Sequence, residues 1–213
     1  MNRLRIRFKR GDEIKYISHL DIIRLWHRAF RRAGIALAYS EGFNPHPRLA
    51  LASPLALGVT SEAELMDIFL ERPMSAPGFM AAVAGCLPPG LEIIQAASVA
   101  PLLPSMQSQL RQAEYRVRAT LTPGFDLQTA ITALMQKESL PWQHQRDTGV
   151  KSYDLRKLIE ELRVCEQSAG EAVIDMLLRC DSAGSGRPEQ VLKALGLDAP
   201  LAVHRTRLIL QTF

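Results

Sequence analysis

Two histidines in this chain have neighbours that could assist proton transfer. His19 sits in Ser18-His19-Leu20-Asp21. His46 lies between two prolines in Tyr39-Ser40-Glu41-Gly42-Phe43-Asn44-Pro45-His46-Pro47-Arg48. Imidazole gives and takes protons near neutral pH. With His19 and His46 as acid and base, Tyr39 or Ser40 assisting and Arg48 steadying a phosphate, such a set could cleave RNA without a metal. It requires both imidazoles to reach one scissile phosphate. A metal site built from His19, Glu41 and His46 matches no established ligand spacing, and no metal is expected.

The same loop also reads as a binding element. Pro45 and Pro47 fix their own φ and push Asn44 and His46 into extended geometry, while Gly42 can turn the chain at positive φ. The expected result is a stiff loop that presents Phe43, Asn44, His46 and Arg48. Phe43 could stack on a base and Arg48 could hold a phosphate of a single-stranded nucleic acid. In the competing reading Phe43 plugs the core and the polar residues are incidental. His19 is open in the same way: it either orders the helix entry through a backbone hydrogen bond or stands at the mouth of a groove.

These residues need elements to hold them. Arg3 to Lys9 alternates strictly, with Leu4, Ile6 and Phe8 on one side and Arg3, Arg5, Arg7 and Lys9 on the other, the pattern of a half-buried strand. Ser18 to Ala33 has helical spacing. Ile22, Ile23, Trp26, Ala29, Phe30 and Ala33 share one arc, and Arg24, Arg28 and Arg31 form a stripe opposite. Ser18 suits the N-cap, with Asp21 standing in for the Glu of a capping box, and Gly34 ends the helix. Strands are expected at Leu49–Leu57, Glu64–Glu71 and Leu91–Ala96, with a helix at Ala76–Leu87. That order, βαββαβ, is the ferredoxin-like plan.

A second lobe repeats the theme. Glu114–Leu121 alternates, Leu127–Lys137 is helical, and strands follow near Trp142–Arg146 and at Ala172–Cys180. A helix runs from Pro188 to Leu195 and stops at Gly196, and Val203–Leu210 is a last strand. Leu155, Leu158, Ile159 and Leu162 have helical spacing, so Asp154–Val164 is expected as a short helix. The expected fold is therefore α+β, two tandem ferredoxin-like lobes with antiparallel sheets. The boundaries are 1–98 for the basic first lobe, 99–110 for a Pro- and Ser-rich linker, and 111–213 for the second lobe.

Composition supports a packed protein: of 213 residues, 47% are hydrophobic and 23% charged. Aromatics are only 6%, which points to cores of Leu, Ile, Val and Ala. Residues 1–60 hold 11 Lys+Arg against 4 Asp+Glu, whereas the whole chain has a net charge of +4. A face made for an anion would explain that asymmetry, as would an ordinary solvated surface. Met1–Arg7 carries charges without an apolar stretch, and no segment approaches a membrane span, so a cytoplasmic, soluble protein without membrane contact is expected. Cys86, Cys165 and Cys180 are scattered and fit buried thiols in a reducing compartment, not a zinc or iron–sulfur site.

Several stretches together resemble one family: Tyr16-Ile17-Ser18-His19-Leu20-Asp21, Arg28-Ala29-Phe30-Arg31-Arg32-Ala33-Gly34, the 39–47 loop, Pro54-Leu55-Ala56-Leu57-Gly58 with Ser61 and Glu64, Tyr153-Asp154-Leu155-Arg156, and Arg187-Pro188. They are similar to the radical-SAM-associated proteins, a bacterial family of unknown function. Its members stand alone or extend cobalamin-binding radical SAM proteins at the C-terminus. The resemblance implies a radical SAM partner in cis or in trans and no established catalytic residues. This chain has no CxxxCxxC motif for a cluster of its own, so no cofactor is expected. Tandem ferredoxin-like lobes with a histidine near the first helix are also similar, in architecture alone, to CRISPR repeat-processing endoribonucleases.

Three functions remain open at this point. One is a non-catalytic RNA-binding accessory that presents tRNA or rRNA to a radical SAM modifying enzyme through Arg3, Arg5, Arg7, Arg24, Arg28, Arg31, Phe43, Asn44, His46 and Arg48. The others are the metal-independent endoribonuclease described above and a protein-docking module whose arginine stripe meets acidic side chains.

Overall fold

A computed structural model describes residues 2–146 and 149–211. Residues 1, 147, 148, 212 and 213, which the expected lobe boundaries include, lie outside the described residues. The fold is α+β, with ten strands and five helices among the described residues, and it divides into two compact units. The first runs to Leu110 and adds Leu210 and Gln211; the second is Arg111–Ile209.

In the first unit, β1 (Asn2–Arg10) leads into α1 (His19–Arg32), then β2 (Leu49–Leu51), β3 (Thr60–Leu70), α2 (Ala76–Val83) with a 3-10 turn at Ala84–Cys86, β4 (Leu91–Val99) and the single turn α3 (Met106–Gln109). β1 lies between β4 and β3, β2 pairs with β3, and every one of these pairs is antiparallel. Strand alternation does what the sequence requires: Leu4, Ile6 and Phe8 are buried under both helices, packed with Trp26, Phe30 and Phe79. The core is mostly Leu, Ile and Val, as composition implies. The few aromatics are concentrated in a chain of ring contacts, Phe8–Trp26 at 5.1 Å, Trp26–Phe30 at 5.2 Å and Phe30–Phe79 at 5.6 Å. The strand expected at Leu49–Leu57 is three residues long, because Ser53 and Pro54 take the chain off the edge of β3.

The opposite side of β1 does not present a row of free arginines. Arg3 and Arg5 both close on Asp67 of β3, Arg3 through one bond of 2.5 Å and Arg5 through two, at 2.9 and 3.1 Å. Arg3 and Asp67 are 3% and 1% exposed. Arg3 also donates to the carbonyls of Leu103 and Pro104 at 2.5 and 3.2 Å, so the stretch expected as a linker lies against this end of the sheet.

In the second unit, β5 (Leu110–Thr120) is followed by α4 (Leu127–Met135), a separate hairpin of β6 (Pro141–Arg146) and β7 (Gly149–Asp154), then β8 (Ile159–Gln167), β9 (Glu171–Arg179), α5 (Pro188–Ala194) and β10 (Ala202–Leu210). The sheet order is β10-β5-β9-β8. The helix expected at Asp154–Val164 is absent. A 3-10 turn at Arg156–Leu158 runs straight into β8, whose register with β9 shifts between Ile159 and Glu161. That bulge adds a residue and breaks period-2 alternation, which is why the leucine spacing looked helical. Cys165 on this strand is exposed and Cys86 half-buried; only Cys180 fits the buried thiols expected.

On the outer face of this sheet Asp175 accepts from Arg116 at 2.9 and 3.2 Å and from Arg163 at 3.0 Å. The Arg116 hydrogen bonds, ahead of smaller contributions from Cys165 and Arg163, hold its carboxyl down to about 2.

Two measurements test these ion pairs. Asp67→Ala leaves two guanidinium groups without their carboxylate, one of them fully buried, and should lower the unfolding free energy in urea by about 3–5 kcal/mol; a loss below about 1 kcal/mol would contradict a structural role for the pair. Asp175 ionises more readily in the folded chain than in the unfolded one. It therefore stabilises the fold above the ordinary carboxylate range, and that contribution disappears as pH falls from about 4 towards 2. Thermal melts across this window should show a smaller acid-induced drop for Asp175→Asn than for the parent protein.

Candidate nucleic-acid interface

The interface is built on α1. Ser18 caps it: its Oγ accepts from the Asp21 N–H at 3.2 Å and donates to the Asp21 carboxylate at 2.7 Å. Asp21 also accepts from Arg24 at 2.9 Å. These bonds, the one from Ser18 first, hold the Asp21 carboxyl below its ordinary value. The capping residue thus occupies one arginine of the stripe. At the other end Arg32 donates to the Cys86 carbonyl at 2.5 Å and ties the helix to the turn after α2. Arg28 and Arg31 are exposed and have no carboxylate within ion-pair distance among the described residues.

The 39–48 loop is held at its base. Tyr39 bridges Pro47, the Ser40 N–H donates to the His46 carbonyl at 2.9 Å, and the His46 N–H donates to Ser40 Oγ at 3.0 Å. Below that, the Ala38 N–H donates to the Phe69 carbonyl, the Arg48 N–H to the Ala38 carbonyl and the Phe69 N–H to the Arg48 carbonyl, at 2.8, 2.8 and 3.1 Å. The Arg48 guanidinium lies 4.2 Å over the Phe69 ring. Gly42 takes φ +122°, a conformation that side chains resist, and so turns the tip. Phe43 is left in solvent at 107% relative exposure, with Tyr39 at 58%, while Asn44 and His46 are exposed beside them. The reading in which Phe43 plugs the core is therefore wrong.

Sequence and structure part company at two places. Arg3 and Arg5 are committed to Asp67, and only Arg7 of the first-strand arginines is exposed without an ion pair among the described residues. Arg48 turns onto Phe69 rather than standing free in the loop. Burial first, and the charge of His46 second, push the His27 imidazole below its ordinary value. His19 lies eight residues back, about 12 Å along the helix axis. No hydrogen bond joins the His19 and His46 side chains among the described residues.

His27 is the residue that sequence reasoning missed. Its position was legible, since Arg24, His27, Arg28 and Arg31 are successive i, i+3, i+4 and i+7 neighbours on one helix flank. Its Nε2 is buried and has no hydrogen-bond partner. The arrangement is a ridge of two free arginines and a neutral imidazole, next to a stapled loop that offers an exposed ring, an amide and a second imidazole. Such a surface can hold phosphates and stack bases. Among the described residues no three His, Cys, Asp or Glu gather to hold a metal ion, and no helix is long and apolar enough to cross a membrane.

Comparison with known proteins adds a family and a fold. A family model, DUF2344, described as an uncharacterized protein conserved in bacteria, matches residues 3–188. No curated protein matches the sequence. Among solved structures, a chain of a Cbf5–Nop10–Gar1 complex is similar at 9% identity with a TM-score of 0.53, over 96% of this chain and 48% of that one. A chain of an H/ACA RNP bound to a substrate RNA containing 2'-deoxyuridine gives 11% identity and 0.49, over 96% and 47%. A chain of the archaeal box H/ACA sRNP Nop10–Cbf5 complex gives 10% and 0.46, over 95% and 46%. This chain spans about half the length of those chains, and at these identities the likeness is one of fold.

The electrostatic influence of His46 on His27 can be measured. In an NMR titration His27 should take up its proton below the ordinary histidine range, and His46→Gln should move that midpoint upward by removing a neighbouring positive charge. An unmoved His27 midpoint would place the loop away from the helix.

Proposed function

The chain belongs to the DUF2344 family of uncharacterized proteins conserved in bacteria, and on that premise we propose that it is a non-catalytic RNA-binding accessory to a radical SAM modifying enzyme. One observation carries the RNA reading: a phenylalanine wholly in solvent at the tip of a stapled loop, beside a helix flank with unpaired arginines. A wholly exposed ring is available for a base to stack on. A ring next to guanidinium groups suits unstacked bases on a phosphate chain, so the target is a single-stranded stretch of tRNA or rRNA. The radical SAM partner, acting in trans, is what the motifs of the first half and of Tyr153–Arg156 imply.

The strand orders β4-β1-β3-β2 and β10-β5-β9-β8, each with two helices in βαββαβ sequence, support reading both units as ferredoxin-like lobes, the second with an inserted hairpin. The fold shared with the Cbf5–Nop10–Gar1 chain is compatible with this reading and does not carry it. The endoribonuclease alternative requires His19 and His46 at one scissile phosphate, and no hydrogen bond links their side chains among the described residues.

Binding of a single-stranded RNA oligonucleotide should weaken with salt, with a log–log slope of ~0.7 per neutralised phosphate. Phe43→Ala should cost about 1–3 kcal/mol of affinity, the worth of one stacked base. Replacing Arg24, Arg28 and Arg31 together by Ala should lower the slope by about 1.4, because Arg24 is already paired with Asp21. Affinity indifferent to salt and to both variants would end the RNA reading. Co-purification of a radical SAM protein that survives nuclease would shift the balance to the docking alternative.

A further inference from the structure

Strand β4 is an outer strand, hydrogen-bonded to β1 on one side only. Its sequence, LEIIQAASV, carries a single charge, Glu92, and neither lysine nor proline. Those residues ordinarily guard such an edge, because its row of free N–H and C=O groups is a template for another strand. The one irregularity is a register shift opposite Arg7 and Phe8, which leaves Ile94 as an extra residue.

A groove of 590 Å³ runs beside the start of this edge. Met80 and Ala84 line it from the helical side, Leu87 and Pro88 from the turn, and Ile93 from the strand. Its polar rim is Lys9 and Glu92, paired with each other at 3.1 Å, and Glu13. The Glu13 carboxylate lies over the Gly11–Gly90 contact, 2.8 Å from where a Cβ on either glycine would stand. It is exposed and has no cationic partner among the described residues.

The chemistry narrows the occupant. An apolar small molecule would leave the strand's amides and carbonyls unpaired, and a nucleic acid would meet the Glu13 carboxylate. An extended peptide satisfies the backbone edge, fills the aliphatic groove with one side chain and can pair Glu13 with another. We propose that β4 and this groove form a docking site for an extended segment of a partner protein. The segment adds to β4 as a strand, seats an aliphatic side chain between Met80 and Ile93, and sets a Lys or Arg beside Glu13. The site uses none of the residues of the α1 and loop surface and does not rest on the RNA reading.

The test is selection of a random dodecapeptide phage library on the full chain. The enriched sequences should share an aliphatic residue with a nearby Lys or Arg. The best peptide, resynthesised, should bind at least ten-fold more weakly to Ala84→Trp, which fills the groove from an exposed position. It should lose affinity when its central amides are N-methylated, and be unaffected by the triple Arg24, Arg28 and Arg31 change. Selection on the exposed-site variant Glu13→Lys should turn the basic preference into an acidic one. No enrichment, or equal binding to the Ala84→Trp and Glu13→Lys variants, would overturn the proposal. So would a dimer of this chain with its β4 amides protected from exchange, since a second copy would then be the occupant.

Discussion

The carboxylate of Asp67 is the constraint on which the first unit depends. It stands directly across from Arg5 in the β1–β3 register, and Arg3 reaches it from the next pair along. A slip of one residue would carry Asp67 to the apolar face under Trp26 and Phe30, where it would have no cation. The ion pairs therefore specify the alignment of β1 with β3 at least as much as they stabilise it. That alignment places Phe69 opposite Arg3, and Phe69 carries the base of the 39–48 loop through its own N–H and C=O. The exposed ring of Phe43 is thus positioned by a buried charge cluster on the other side of the loop's anchor.

The same cluster explains why charge counting overstated the anion surface. Of the cations in residues 1–60, Arg3 and Arg5 are held by Asp67, Lys9 by Glu92, Lys15 by Asp12 and Arg24 by Asp21, while Arg10 donates to the carbonyls of Ile14, Lys15 and Ile17. Two of those acids, Asp67 and Glu92, lie beyond the window in which the charge was counted. What is left for solvent is a narrow set, Arg7, Arg28 and Arg31.

Local pattern was legible wherever one period ran uninterrupted. β1 and α1 follow from alternation and from a Ser–Asp cap, and the structure uses those same residues for the same purposes. Pattern failed where an extra residue or a distant partner intervened. The bulge at Ile159–Glu161 disguised β8 as a helix, and Asp67 is 64 positions from Arg3, so no local pattern links the two. The loop itself was read as stiff from its prolines. Its stiffness owes as much to the Ser40–His46 exchange of hydrogen bonds, which proline geometry alone does not imply.

Topology then sets how the surfaces relate within the first unit. The loop and β2 lie on the β3 side of β1, whereas the groove lies along β4, on its other side. α1 and α2 cover the same face of the sheet between them and share a core through Phe30 and Phe79. A rigid core with two chemically different margins, one cationic and aromatic, the other an unguarded strand edge with a carboxylate, can engage two unlike partners at once. If both proposed sites are filled, the occupant of one margin does not need to leave before the other is filled.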